Sequence, residues 1–372
     1  MNSLKAFFKR ETTLCIAFAA ALVSMLFVPP DSGYLKYIDL RTLALLYCLM
    51  AVVAGLRRAQ VFSVLGRRLC MGCSGIRALA LILVLLCFFS SMLITNDVAL
   101  ITFVPFTLIV LKLVHREALT ARIIVLQTVA ANLGSMLTPV GNPQNLYLHS
   151  HYNMSTGEFF SATAPVWAVS LCAVAVLCLL IPKGGAQLLD SHSESVDKKQ
   201  LLLHSLLFAV CLLVVIRVMA WYVMLGIILA ALLIFDRKIL TEPDFFLLLT
   251  FVCFFIFSGN LSRVDAVAGF LGRAMAGREL FMGALVSQFI SNVPAALVLS
   301  PFTDNARALL LGVDIGGLGT PIASLASLIS LKIYAASDGA DTGRFIKLFL
   351  LINFSLLAFL LFFAFIFCKA LV

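Results

Sequence analysis

Charge is what this sequence has least of. Only 12% of its 372 residues are Asp, Glu, Lys or Arg, against roughly a quarter in soluble domains. So few charges cannot cover a water-facing surface. A hydrophobic share of 62% and a mean hydropathy of +1.08 point to the bilayer instead. Pro, Gly and acidic residues are too sparse for a disordered domain. No Gly-x-x-x-x-Gly-Lys-[Ser/Thr] loop occurs, so the chain alone is expected to use no nucleotide. Gly-x-Ser-x-Gly and His-Glu-x-x-His are also missing, which leaves an intramembrane enzyme without support.

The ten cysteines lie mostly in apolar text, as small hydrophobes do; Cys70 and Cys73 form a lone CxxC, read as two free thiols. His149 and His151 are read as solvated residues of a polar outer loop with Asn153, and no metal site is expected there.

Runs such as 201–216 and 345–368 are nearly continuous apolar text, the signature of membrane spans. The first, about 13–28, follows Lys5, Lys9 and Arg10 and ends in Pro29-Pro30 with no small-residue cleavage site, so it reads as an anchor and not a signal peptide. A net charge of +9 could suggest nucleic acid, but the basic residues cluster in short loops between apolar segments. Arg57, Arg58, Arg67, Arg68 and Arg77, then Lys112, Arg116 and Arg122, then Lys183, Lys198, Lys199, Arg237 and Lys238 can all be put on one side, which the positive-inside rule makes cytoplasmic. Nucleic acid is therefore not an expected partner; the lipid bilayer is.

The most informative feature is a repeat. Ile94-Thr95-Asn96 is followed by Pro105-Phe106-Thr107, and Ile290-Ser291-Asn292 by Pro301-Phe302-Thr303 at the same spacing. Thr138-Pro139-Val140 returns as Thr320-Pro321-Ile322, and Leu65-Gly66-Arg67 as Leu271-Gly272-Arg273 in amphipathic stretches suited to the membrane interface. The arms at about 78–94 and 98–111 have basic flanks at both ends, so they predict a short re-entrant hairpin with its tip, Thr95-Asn96-Asp97, near mid-membrane. No helix runs through Pro139-Val140-Gly141-Asn142-Pro143 without freeing backbone groups, so that span is expected to be broken.

The fold expected is an all-α membrane protein of about nine transmembrane helices plus two re-entrant hairpins, in two inverted repeats with broken helices. Its parts are an anchor at 1–39, a first repeat at 40–182, a linker (183–200) with connecting helices to 243, and a second repeat at 244–372. The N-terminus would be cytoplasmic and the C-terminus external.

An isolated Asn or Thr in a span reads as a cap or as glue between helices. At matched breaks the same residues read as a site. Unwound backbone can hold a cation with its carbonyls, while helix N-termini attract an anion. The candidates are Thr95, Asn96, Ser291 and Asn292 at the tips, and Thr138, Asn142, Asn145, Thr320, Ser324 and Ser327 at the breaks. Asp97 and Asp314 are the nearest acids and, with Asn96 and Asn292, the candidates for the coupling ion; an intramembrane carboxylate is costly enough to imply function. Asp314 lies among Gly312, Gly316, Gly317 and Gly319, which also allows a turn or cap at a membrane boundary. Lys332 is expected to snorkel. A channel lined by the same breaks is the reading from another class, but a pore has no need of matched inverted tips.

Residues 94–100, Ile-Thr-Asn-Asp-Val-Ala-Leu, resemble the first-half signature of the ion transporter superfamily, which includes citrate-transporter-like permeases, divalent anion:sodium symporters and arsenite efflux permeases. Residues 134–145 are similar to the broken helix of its citrate-type members, and Ser291-Asn292 with residues 312–316 and 320–326 resemble the second half. The resemblance spans roughly 40–370. It implies an elevator-type secondary transporter of a small anion, often a homodimer in the sodium-coupled branch, with Thr95, Asn96, Ser291 and Asn292 at the tips, Asn142 and Thr320 in the broken helices, and no cofactor beyond a coupling ion, Na+ or H+. Two departures stand out. Dicarboxylate members carry Ser-Asn-Thr at both tips, where this chain has Thr-Asn-Asp and Ser-Asn-Val-Pro; this opens proton coupling through Asp97. Arsenite permeases usually carry Lys where Leu318 stands, which counts against arsenite.

Overall fold

The computed structural model describes residues 11–71, 73, 75–185 and 196–370. Lys5, Lys9, Arg10 and most of the 183–200 linker lie outside them. Eighteen α-helices make up the described chain. They are α1 (Thr12–Met25), α2 (Tyr34–Tyr37), α3 (Leu40–Arg58), α4 (Val61–Met71), α5 (Ile76–Ile94), α6 (Asn96–Leu113), α7 (Thr120–Ser135), α8 (Pro143–His151) and α9 (Thr156–Leu179). After the linker come α10 (Lys198–Val215), α11 (Trp221–Phe235), α12 (Phe245–Ser262), α13 (Asp265–Met275), α14 (Glu279–Ile290), α15 (Asn292–Leu299), α16 (Ala306–Gly316), α17 (Leu325–Ala335) and α18 (Thr342–Ala370). Among the described residues, eight helices are long and apolar enough to cross a bilayer. The protein is an all-α, multi-pass membrane protein.

Local chemistry starts the helices where the chain leaves a loop. Asp39, Asp197, Asp244 and Asn305 each accept an amide of the following first turn, and Ser155 with Glu158 forms a reciprocal capping box. Pro143 opens α8, where its missing N–H costs nothing. The helix restarts after the break and carries both histidines in its last turn: His149 is buried, unlike the solvated loop residue expected, while His151 is exposed as expected.

The arms of the first hairpin are also longer than the sequence suggested. They have 19 and 18 residues, about 28 and 27 Å at 1.5 Å per residue. Those of the second, α14 and α15, have only 12 and 8.

Cross-links sort the helix ends onto two faces. On one, Arg58 pairs with Glu242 and Asp236, Ile76 N donates to Gly184 O, Arg77 to Ile181 O, and Lys112 pairs with Asp338. On the other, Arg263 pairs with Asp31, Ser150 donates to Asp39, and Tyr152 donates to Ser300 O. The first hairpin therefore opens to the first face, the basic one, and the second to the opposite face. The repeats are inverted. Each contains one span (α3, α12), an 11-residue amphipathic helix (α4, α13), a hairpin, a broken helix and a final span (α9, α18).

Two apolar cores form. One joins α5, α6, α7, α9 and α18; the other joins α1, α3, α10, α11 and α12 to α8 and α15. Helix α16 is shared, with Leu311 and Ile315 in the first and Leu309, Leu310 and Val313 in the second. Close approach inside each repeat depends on glycine: a Cβ at Gly134 would stand 1.9 Å from Phe88 O, and one at Gly316 2.7 Å from Ala284 Cα. Gly134→Ala should therefore cost about 1–3 kcal/mol, the range for forcing a methyl into a packed core. Gly226→Ala, with nothing within 4 Å of its Cβ, should cost none. Unfolding of the purified protein in bicelles checks both.

Candidate functional site

Each hairpin turns on one residue. Thr95 (φ 67°, ψ 152°) separates α5 from α6, and Ser291 (φ 76°, ψ 155°) separates α14 from α15. Positive φ at a non-glycine residue is strained, most of all at β-branched Thr. Both tips hold the same conformation because each docks on a helix break that over-determines it.

The docking bonds repeat. Asn96 N donates to Gly141 O at 3.3 Å, and Asn292 N to Ala323 O at 2.9 Å. Thr138 Oγ1 donates to Met92 O, and Thr320 Oγ1 to Gln288 O at 2.9 Å. Thr138 and Thr320 thus pin the broken helices to the hairpin arms, and neither lines the cavity described below. In hydrocarbon an unwound segment persists only when its freed amides and carbonyls find partners. Here tip and break supply them to each other.

The two halves meet at Asn132, which is buried inside α7. Its Oδ1 accepts from Asn96 Nδ2 and from Ser324 Oγ, each at 2.9 Å, and its Nδ2 faces Ser327 Oγ at 3.4 Å. One side chain therefore joins the first tip to the second break. Asn132 stands six residues before Thr138, and Asp314 stands six before Thr320. Asp314 makes the reciprocal crossing: its Oδ1 accepts from Gln144 Nε2 at 3.1 Å, in the first break. Asp314 is buried within α16, not at a boundary turn, because the glycines around it serve close packing against α14.

Asn142 Nδ2 donates to Ser135 Oγ at 2.6 Å, and Asn145 Nδ2 lies 3.3 Å from Thr138 O. Asn142 Oδ1, Gln144 Oε1, Asn145 Oδ1 and Asp314 Oδ2 are buried without a hydrogen-bond partner among the described residues. Buried oxygens rarely stay so in a working protein, and hard cations take such ligands. Ser291 Oγ faces Ala323 O at 3.4 Å.

A cavity of about 240 Å³ lies between α3 and the first tip, lined by Thr95, Asp97 and Asn142 with Leu46 and Pro143. Arg57, Glu242 and Asp244 stand at its basic-face end. From Arg57 down α3 to Leu46 is eleven positions, about 17 Å at 1.5 Å per residue, so the tip sits roughly halfway along that helix. Three carboxylates and the Arg57 guanidinium line the cavity, and Arg58 joins them through Glu242. Glu242 is held by Arg57 and Arg58 (3.7 and 2.6 Å), and Asp244 caps α12. Asp97 Oδ1 has no hydrogen-bond partner among the described residues. The cavity thus gathers Thr95, Asp97 and Asn142 from the candidates, while Ser291, Asn292, Thr320, Ser324 and Asp314 do not line it; Ser324 is linked to the first tip through Asn132, and Asp314 to the first break through Gln144. Asn132, Gln144 and Gln288 were missed, although the matched distance of Asn132 and Asp314 from Thr-Pro was readable once the repeats were aligned.

Residues 7–311 match the family model described as Citrate transporter. An uncharacterized transporter of Methanocaldococcus jannaschii is 34% identical over 265 residues, covering 71% of this chain and 72% of that protein. The inner membrane protein YbiR of Escherichia coli is 31% identical, with 83% of each chain covered. A silicon efflux transporter of Oryza sativa is 34% identical over a shorter stretch, 37% of this chain and 28% of that one.

Asn132→Ala removes the acceptor shared by Asn96 and Ser324. In a double-mutant cycle with Ser324→Ala, unfolding free energies should give a coupling of about 0.6 kcal/mol, and up to ~1.7, the scale of hydrogen bonds between membrane helices. Zero coupling would mean that this carboxamide does not tie the halves together.

Proposed function

The chain belongs to the citrate transporter family, and from that premise we propose a secondary active transporter that moves a small anion, a carboxylate or an inorganic oxyanion, across the cytoplasmic membrane, coupled to Na+ or H+. The observation that carries the proposal is the meeting of two tips and two breaks through Asn132 beside a cavity. Helices α6, α8, α15 and α17 all begin there, and none has a side-chain N-cap. Their positive dipole ends suit an anion without fixed charge in the bilayer. The C-terminal carbonyls of α5, α7, α14 and α16 end at the same place and suit a cation. Substrate contacts fall to Thr95, Asn96, Asn142 and Asn145 on one side and to Ser291, Asn292 and Ser324 on the other, with Thr138 and Thr320 holding the breaks in register.

In this reading Asp97 carries the coupling proton or helps hold Na+, and Asp314 supports the ion from the second half. An elevator movement would slide the hairpin-bearing bundle against α1, α3 and α10–α12, along the apolar surface that α8 and α15 present to them. The basic face is cytoplasmic by the positive-inside rule, with the C-terminus outside. A homodimer would give the moving bundle a fixed partner.

A second reading rests on one observation: the cavity presents Asp97 and Asp244, neither in an ion pair among the described residues, beside a Glu242 that Arg57 and Arg58 already hold. Carboxylates oppose an anion but suit proton exchange. Efflux of an uncharged oxide or its weak acid against protons, arsenite and antimonite included, fits that lining, as does Na+/H+ antiport; one relative is named for silicon efflux.

In proteoliposomes, Asn96→Ala and Asn292→Ala should each abolish uptake while the protein remains folded by gel filtration. Full transport by both variants would sink the two-tip site. Asp97→Asn should uncouple transport from an imposed pH gradient while exchange of substrate across the membrane continues. Uptake that still follows the pH gradient would exclude Asp97 as the proton carrier.

A further inference from the structure

On the basic face, away from the tips, lies a larger cavity of about 970 Å³ between the starts of α7 and α18 and the end of α9. Arg122, Arg344 and Lys347 line it, and Leu348 and Leu351 continue its wall. Arg344, Lys347, Leu348 and Leu351 are spaced i, i+3, i+4 and i+7 and so share one stripe of α18. The stripe is ordered by depth. Its cations sit within the first two turns, and Leu351 lies seven residues beyond Arg344 and four beyond Lys347, about 10 and 6 Å along the axis. Leu351 is 67% exposed, and nearby Leu180 at the end of α9 is 60% exposed.

Three cations facing one acid are costly unless something negative joins them. Asp341, the acid of this cavity, has its Oδ1 engaged as acceptor of Arg344 N at 2.9 Å. Among the described residues, Arg122, Arg344 and Lys347 form no ion pair. The N-terminal dipoles of α7 and α18 point into the same place and add to the positive potential.

We propose that this cavity binds an anionic phospholipid, with the phosphate held by Arg122, Arg344 and Lys347 and an acyl chain laid along Leu348 and Leu351. Charge and depth both match that ligand: the cations stand at headgroup level and the leucines below them, where a free anion would leave the apolar wall unused. The site belongs to the hairpin-bearing bundle, so the lipid rides on the part of the protein that carries the tips.

The test is native mass spectrometry of the detergent-purified full chain titrated with phosphatidylglycerol and with phosphatidylcholine of the same acyl chains. Wild type should prefer phosphatidylglycerol, with affinity falling about fivefold for each cation removed. Arg344→Gln with Lys347→Gln should erase the preference, Arg344→Lys with Lys347→Arg should restore it, and Lys238→Gln elsewhere on the face should leave it unchanged. Equal binding of both lipids by wild type, or a preference that survives the double Gln variant, overturns the proposal. Stabilisation by inorganic phosphate equal to that by phosphatidylglycerol, and lost in the same variant, would reassign the cavity to a free anion and also overturns it. Melting temperatures and gel filtration confirm that each variant is folded before its result is read.

Discussion

A backbone amide or carbonyl that leaves its helix inside hydrocarbon must find a new partner within the protein. The rest of this structure depends on how that requirement is met at four places: two hairpin tips and two helix breaks. Each would be untenable alone. Joined in pairs, Asn96 N to Gly141 O and Asn292 N to Ala323 O, they satisfy one another and hold Thr95 and Ser291 at positive φ. The glycines at 134 and 316 let the arms come close enough for those bonds to form.

Backbone bonds repeat faithfully between the halves, but the charged residues do not. Asp97 follows the first tip where Val293 follows the second, and Asn132 stands where the second half has Asp314. The shared bonds keep the geometry two-fold, while the exchanged side chains put one carboxylate in the cavity and bury another behind it. The two halves therefore differ in charge on an otherwise symmetrical backbone frame.

The division into two apolar cores gives that frame something to move against. The first hairpin, α7 and the basic-face cavity with α18 belong to one core, while α8 and α15 pack into the other, where α3 closes the site. The candidate site residues come mostly from the hairpins and the breaks, so in the proposed movement they would be displaced together relative to α3.

Much of this was legible in the text. Hydropathy marked the spans, paired prolines marked the breaks, and four landmarks in matched order exposed the repeat, because each follows from local rules of helix formation in lipid. Arm lengths were read short because Arg77, Asn96, Asp97 and Lys112 end the apolar text although all four are helical. The burial of His149 was missed because Pro143 restarts a helix where composition alone resembles a loop. Asn132 looked like an ordinary polar residue in a span. By itself the sequence determined where the chain had to break and that it breaks twice in the same way; backbone chemistry is local and leaves its mark in residue types. Only the tertiary structure decided which groups satisfy those breaks, because a hydrogen bond between Asn132 and Ser324 depends on how helices far apart in the chain are packed together.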